Sequence, residues 1–498
     1  MGKIAVIGAG FAGLSAAAYL AAEGHTITVF EKNSSAGGRA RQRVAPGGYL
    51  FDMGPSWYWM PEVFERFFQD FGGSASSHYQ LTRLDPGFEI VFGRGDTLPV
   101  PGDYASLRAL VESIEPGGGL SLDRFMRSAE FKYQTAMEAL IYSPSLSVRE
   151  FLRRDVLRGV SSLQLFRSHR RHVRKYFNDP RLVALMEFPT LFLGASADRI
   201  PALYSLMNYA GLKLGTWYPQ GGFGQVVHSM VSVGKGLKAD YCFSSPVQGI
   251  LVKKNKVEGV VVNGQVYGCD AVVAAADYHH IEQDLLPPEF RNYSERYWES
   301  RTMAPSCLLF FVGVKKQLPS LRHHTLFFDT DGDLHARQIY TDPQWPAQPQ
   351  FYVGCPSRTD ASLAPRGHEN LFFLLPLAPG LPDSEGMREK YFRVMVERLE
   401  SHLAEPILPF IDYRESYGIR DFIEDYHAFL GNAYGLANTL RQTAWLKPSI
   451  RNKKLPNLWY AGQLTVPGPG VPPAIISGKI AAGQVIEYLK QARYEGAF

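Results

Sequence analysis

At 498 residues the chain is longer than one ordinary domain and has ample material for large cores. Its 45% hydrophobic and 20% charged content is that of a globular protein and excludes a disordered one. The net charge of +4 is too small to point to nucleic acid.

Lys3–Ile7 reads as a short apolar strand, and Gly8-Ala9-Gly10-Phe11-Ala12-Gly13 follows at once. An Ala-rich stretch through Ala22 has helical composition, and Thr26–Phe30 gives a second strand ending at Glu31. Each part has a physical task in binding a dinucleotide. Gly8 allows the tight turn, Gly10 lets a pyrophosphate approach the backbone, and Gly13 lets helix and strand pack closely. The helix start offers free N–H groups to phosphate oxygens, and Glu31 stands where it can accept hydrogen bonds from a ribose. Without that context the glycines would be an ordinary turn.

Gly37-Gly38-Arg39-Ala40-Arg41 and Phe51-Asp52-Met53-Gly54-Pro55 come next. Two glycines and an arginine past the ribose acid let the chain double back over a pyrophosphate and flavin, although a Gly-rich surface loop has similar chemistry. Asp52 either orients that loop or simply forms a turn. From about Pro61 to Leu212 the reading is mainly helical, with helical apolar spacing at Val63, Phe64, Phe67, Phe68 and Phe71 and a strand-like piece near Phe88–Phe92. Within it, the basic run Arg167–Lys175 follows apolar Val156-Leu157 and Leu163–Phe166, with no acid between Asp155 and Asp179. Such a segment suits a membrane interface, a solvated helix face being the plain alternative.

Tyr218–Gly224 reads as a turn into a helix from Gln225 to Leu237. Val247–Lys253, Val257–Asn263 and Gln265–Cys269 form a meander, with Asn263-Gly264 as a hairpin turn. Ala271–Ala276 is a buried parallel strand ending at Asp277. Leu308–Val314 and Leu371–Leu377 read as buried strands, Asp383–Leu403 as an amphipathic helix, and Asn457–Gly462 as a strand followed by a Pro- and Gly-rich loop and a helix to Lys490. The expected fold is α/β: a discontinuous Rossmann-like cofactor domain (1–80, 213–281 and 447–498) and a second, mixed α+β substrate domain (81–212 and 282–446). The latter includes a helical membrane-facing part, with 150–178 as the candidate contact segment. Ligands in such sheets sit beyond the carboxyl ends of the strands, which gathers Gly8, Gly37, Gly222, Asp277 and Gly462 near one site.

Cys242, Cys269, Cys307 and Cys355 form no CxxC pair and point to a reducing compartment. The pairs or near-pairs His169/His172, His279/His280 and His323/His324 lack partners at ligand spacing, so no metal is expected. The chain opens directly on a strand, which leaves no room for a signal peptide. No run reaches the roughly eighteen apolar residues of a membrane span.

VIGAGFAG, FEKN, GGRAR, FDMGPSWYWMPEVFERFF and LWYAGQLTVPGPGVPPAIISGKIAA resemble the bacterial phytoene desaturase family of carotenoid enzymes, within the flavin-containing amine oxidase and GDP-dissociation-inhibitor fold group. The resemblance runs nearly end to end. It implies FAD as cofactor, with the pyrophosphate at Gly8, Gly10 and Gly13 and the adenosine ribose at Glu31, and with Phe11, Ala12 and Lys32 also among the cofactor-binding residues. Gly38, Arg39 and Arg41 would lie on the covering loop, with Gly54, Pro55 and Ser56 beside it. Val247 would serve adenine. Gly462 and Val471 to Ile475, Pro472 among them, would meet the ribityl chain and isoalloxazine, and Asp277 and Gln463 are further cofactor-binding residues. Gln463 departs from the acid frequent after the late glycine in this group, which implies a weaker hydroxyl contact.

The same resemblance implies desaturation of phytoene towards lycopene: hydride transfer to flavin, then proton loss. A long apolar isoprenoid substrate offers only burial, at about 25 cal/mol per Å², and a dedicated base is not required. Trp57, Tyr58, Trp59, Tyr209 and Trp217 are candidates for the tunnel lining, core packing being the plain alternative for each. A substrate drawn from a bilayer implies a cytoplasmic protein held peripherally on the inner face of the cell membrane, with a quinone or oxygen reoxidising the flavin. Rival readings are desaturation of another carotenoid, flavin-dependent carotenoid isomerisation, amine oxidation on the same fold, and non-enzymatic isoprenoid binding.

Overall fold

A computed structural model describes residues 1–147 and 164–494 of the chain. Lys3–Ile7 pairs in parallel with Thr26–Phe30 on one side and Ala271–Ala274 on the other. Asp240–Cys242 and Leu458–Tyr460 complete a five-stranded parallel sheet at its two edges. The central strands are short, nearly continuous apolar runs because helices cover both faces of such a sheet. Helix Phe11–Ala22 is buried along most of its length, and its alanines permit close packing against the final helix, Val471–Tyr494. A side chain on Gly478 would meet the Ala12 carbonyl oxygen at 2.2 Å. The Ser15 hydroxyl donates to the Ile475 carbonyl at 2.7 Å.

The meander Val247–Lys253, Lys256–Val262, Gln265–Gly268 stands beside this sheet. Asn263 and Gly264 both have positive φ, as a two-residue hairpin of this hand requires.

The second sheet has seven strands, in the order Ile411–Tyr417, Ser306–Val314, Glu369–Leu377, Phe351–Gly354, His324–Phe327, Phe88–Gly93, Asp96–Val100. Its neighbours are antiparallel except His324–Phe327 against Phe88–Gly93. The largely helical reading of 61–212 therefore needs correction. Leu81–Arg83, Phe88–Gly93 and Asp96–Val100 are strands, and the last alternates exposed and buried residues. Its Pro99 is tolerated because this strand is the sheet edge, where a missing N–H costs little. Helices Tyr104–Ile114, Gly118–Thr135 and Pro180–Glu187 supply the helical part.

Of the candidate membrane segment 150–178, residues 150–163 (Val156, Leu157 and Leu163 among them) lie outside the described residues. The described remainder does not present one basic face. His169 and His172 are buried, and Arg170 pairs with Glu187, Asp198 and Asp333 from elsewhere in the fold. The acid-free run thus acquires its acids through tertiary structure. Arg171, Arg174 and Lys175 remain exposed, as does Phe166 at 86%. No helix among the described residues is long and apolar enough to cross a membrane.

Candidate functional site

A continuous cavity of about 1290 Å³ extends from the carboxyl ends of the parallel strands to the inner face of the seven-stranded sheet. It exceeds the ~300–1,000 Å³ of ordinary small-molecule sites. At one end Gly8, with φ of 100°, makes the turn out of the first strand. Gly13 sits on that turn so closely that a side chain there would lie 1.9 Å from the Gly8 carbonyl oxygen. Gly10 faces the cavity with only the Gly38 Cα within 4 Å of an added side chain, at 3.9 Å. Gly37 N–H donates to the Ala9 carbonyl at 2.8 Å, so the second glycine loop folds onto the first.

Glu31 is buried at the cavity wall. One carboxylate oxygen accepts from Ala9 N–H at 2.8 Å, and the other from the backbone and side-chain nitrogens of Asn33 at 2.9 and 3.0 Å. Phe11, Ala12, Lys32, Gly38, Arg39, Gly54, Pro55, Ser56 and Val247 also line the cavity. Gly54 lies tight under the Arg39 carbonyl, where a side chain would come within 2.6 Å. Gly13, Arg41 and Ile475 stand outside the wall. Arg41 is bound to Asp425 and to the Tyr426 hydroxyl, and so anchors the loop from behind.

Asp277 follows the strand Ala271–Ala274, and its Oδ1 accepts from His279 and His280 N–H at 3.1 and 3.4 Å. Its Oδ2 and the Nε of Arg39 are buried without partners, although both residues line the cavity. Burial pushes the Asp277 carboxyl up, and the Arg39 guanidinium partly offsets this. Gly462 has φ of 118° and nothing within 4 Å of an added side chain. With the Gln463 amide oriented to satisfy both its atoms, its oxygen accepts from Arg39 Nη2 at 3.0 Å and its nitrogen donates to the Ala433 carbonyl at 3.3 Å. Val471 and Pro472 line the cavity at the start of the final helix. Pro472 and Pro473 occupy the first turn, where N–H groups have no helical partner anyway.

The other end is aromatic. Trp57 stacks on His324 with ring centroids 4.1 Å apart and packs against Phe188, Phe192 and Tyr352. Trp59, held by a bond from its indole N–H to the Thr216 hydroxyl at 2.9 Å, also lines the cavity. Burial holds the His324 imidazole well below its usual range, so the ring is neutral. Tyr58, Tyr209 and Trp217 stand outside the wall. Tyr58 is buried against Phe64, Tyr209 donates to Glu130, and Trp217 donates to the Leu214 carbonyl. Sequence reasoning did not single out Phe188, Phe192, Cys307 or Tyr352, which also line the wall. All four lie in strand or 3₁₀ runs that read simply as core: Phe188 and Phe192 in Phe188–Leu193, Cys307 in Ser306–Val314 and Tyr352 in Phe351–Gly354.

Asp52 binds the N-terminus of helix Phe223–Gly236 rather than the cavity. Its two oxygens accept from Phe223 and Gly224 N–H at 2.7 and 3.2 Å, and burial pushes its carboxyl up to about 6. Among the described residues no group of three or more His, Cys, Asp or Glu converges as a metal site would require.

Residues 11–486 match the family described as flavin containing amine oxidoreductase. The chain is 40% identical over 485 residues to a carotenoid 3,4-desaturase of Haloarcula japonica, covering 97% of this chain and 98% of that protein. It is 30% identical over 497 residues to a zeta-carotene-forming phytoene desaturase of Myxococcus xanthus, covering 98% and 94%. Among solved structures it is similar in fold to an oxidoreductase from Methanosarcina mazei, with a TM-score of 0.62, 15% identity and coverage of 97% and 100%. A putrescine oxidase bound to putrescine is similar too, at a TM-score of 0.61, 14% identity and coverage of 98% and 99%.

Proposed function

The chain belongs to the flavin-containing amine oxidoreductase family, and we propose that it is an FAD-dependent carotenoid desaturase. The observation that carries this reading is the continuity of one cavity from a dinucleotide-type turn to an apolar, aromatic end. Sheet order supports the direction of the cofactor. Glu31 ends the strand on one side of Lys3–Ile7, while Asp277 and Gly462 follow strands on the other side. The adenosine half then belongs with Glu31, Lys32 and Val247, and the isoalloxazine with the loop Gly462–Pro473. The residues present fit the group. The unpartnered Asp277 Oδ2 and Arg39 Nε are polar atoms that a hydroxyl and a phosphate would satisfy.

Bound FAD supplies the hydride acceptor for an allylic C–H bond. The chain supplies the rest. Trp57, Trp59, Phe188 and Tyr352 bury an apolar polyene and exclude water. The positive charge left behind spreads over the conjugated chain and makes the neighbouring C–H a strong acid, so no side chain is required as base.

Phytoene taken towards lycopene is one substrate and product pair for this site. The 40% identity to a protein named a carotenoid 3,4-desaturase favours a second, in which the new double bond enters at carbons 3 and 4 of a carotenoid. We assign the substrate's source to the bilayer, with Arg171, Arg174, Lys175 and Phe166 as a peripheral contact and a quinone or oxygen as final acceptor. The test is an assay in liposomes with added FAD, offering 15-cis-phytoene and, separately, lycopene. Longer-wavelength polyenes from phytoene support the first pair, and from lycopene alone the second. Flavin-loaded protein that changes neither overturns the desaturase reading.

A further inference from the structure

Lys447 is 5% exposed, and its Nζ donates to the Asn438 side-chain oxygen at 2.8 Å. No described carboxylate pairs with it, and burial alone sets its acidity. A buried ammonium with one neutral partner is costly, so its presence calls for a negative charge that arrives later. Its position shows where. A side chain on Gly468, which lines the cavity, would meet Lys447 Nζ at 2.8 Å and the Asn438 oxygen at 3.3 Å. The amine therefore lies directly behind the loop that runs from Gly462 into the final helix. Gly468 has φ of 139° and no room for a side chain, so the wall in front of the amine holds the Gly468 backbone and the amide of Asn438, which also lines the cavity.

We propose that Lys447 is a positioning residue for flavin reduction: its ammonium compensates the negative charge that hydride transfer leaves on the isoalloxazine. This rests on the flavin reading above. The balance is simple. One hydride leaves an allylic carbon with both bonding electrons and adds to the ring nitrogen N5. The oxidised ring is neutral, so it gains one negative charge, which settles on the pyrimidine side, while the carbon next to the one left positive later loses a proton and its C–H electrons become the new double bond. Lys447 exchanges no proton with flavin or substrate, and where its buried amine is neutral it takes its proton from solvent as the ring becomes negative. It acts through the field, which is strong where water is excluded.

Sulfite tests this without substrate, because it adds at N5 and leaves the same charge on the ring. Lys447→Met keeps the volume and removes the charge, and Asn438→Asp keeps the lysine but pairs it with a carboxylate. In FAD-loaded protein both variants are expected to bind sulfite about tenfold or more weakly than wild type. Tenfold corresponds to about 30 mV in a two-electron couple. The midpoint potential of the bound flavin should fall accordingly. Sulfite affinity within twofold of wild type in both FAD-loaded variants overturns the proposal. A wild-type protein that takes up no FAD overturns the flavin reading instead, so the two failures are distinct.

Discussion

The α-carbon of Gly13 packs so closely under the Gly8 carbonyl oxygen that a methyl group placed there would stand 1.9 Å from it. Nothing flexible is available to yield, since the neighbour is backbone. Gly13→Ala is therefore expected to displace the turn and abolish FAD retention, read as loss of the flavin absorbance of purified protein. Normal flavin content in that variant would contradict the packing argument.

Arg39 and Asp277 supply the two unpartnered polar atoms at the cavity wall. A charged hydrogen bond contributes about 1.5–3 kcal/mol. Arg39→Ala should therefore weaken FAD binding about tenfold or more, measured by titrating FAD into flavin-free protein and following flavin fluorescence. Unchanged affinity would place Arg39 outside the cofactor's reach.

Trp57 is assigned to substrate and not to flavin. Trp57→Leu should leave flavin content unchanged while kcat/KM for the carotenoid falls about tenfold, through apolar area lost from the cavity wall. A parallel fall in flavin content would move Trp57 to the cofactor end.

Burial lowers the Lys447 amine to about 7 from an ordinary 10.5. Between those values the unfolded chain holds a proton that the folded one lacks. Flavin-free protein should thus gain stability at this site as pH rises through that window, by at most about 1.4 kcal/mol per pH unit. Denaturant titrations at pH 7 and pH 9 should show this gain in wild type relative to Lys447→Met. An equal pH response in both would mean the amine is not desolvated.

The exposed cations Arg171, Arg174 and Lys175 are expected to contribute about 1 kcal/mol each on an anionic bilayer. Replacing all three by Ala should sharply reduce co-sedimentation with anionic vesicles, and salt should do the same to wild type. Vesicle binding indifferent to both would remove the electrostatic part of the membrane proposal.

Four strands of the parallel sheet were legible because each is a short apolar run bounded by glycine or an acid, and because GAGFAG ties a turn to a helix start by spacing, whereas the edge strand Asp240–Cys242 is too short and polar to show. The hairpin Phe88–Val100 was half missed, since Pro99 argues against a strand until its edge position is known. The aromatic end was legible only in Trp57 and Trp59. Tyr58 alternates with them in sequence, and the same alternation turns it into the core against Phe64. Arg41 shows a different limit. Its loop covers the cavity, but whether its side chain faces in or out depends on Asp425, which no local pattern connects to it.

The hydrogen bond from Ser15 to Ile475 joins residues 460 positions apart. During synthesis, the first helix is therefore made long before the partner that covers it. Until Ile475 has left the ribosome, the glycine turn has no closing helix. The turn that opens the chain is therefore closed only by residues near its other end, and the wall they share forms after nearly all of the chain has been made.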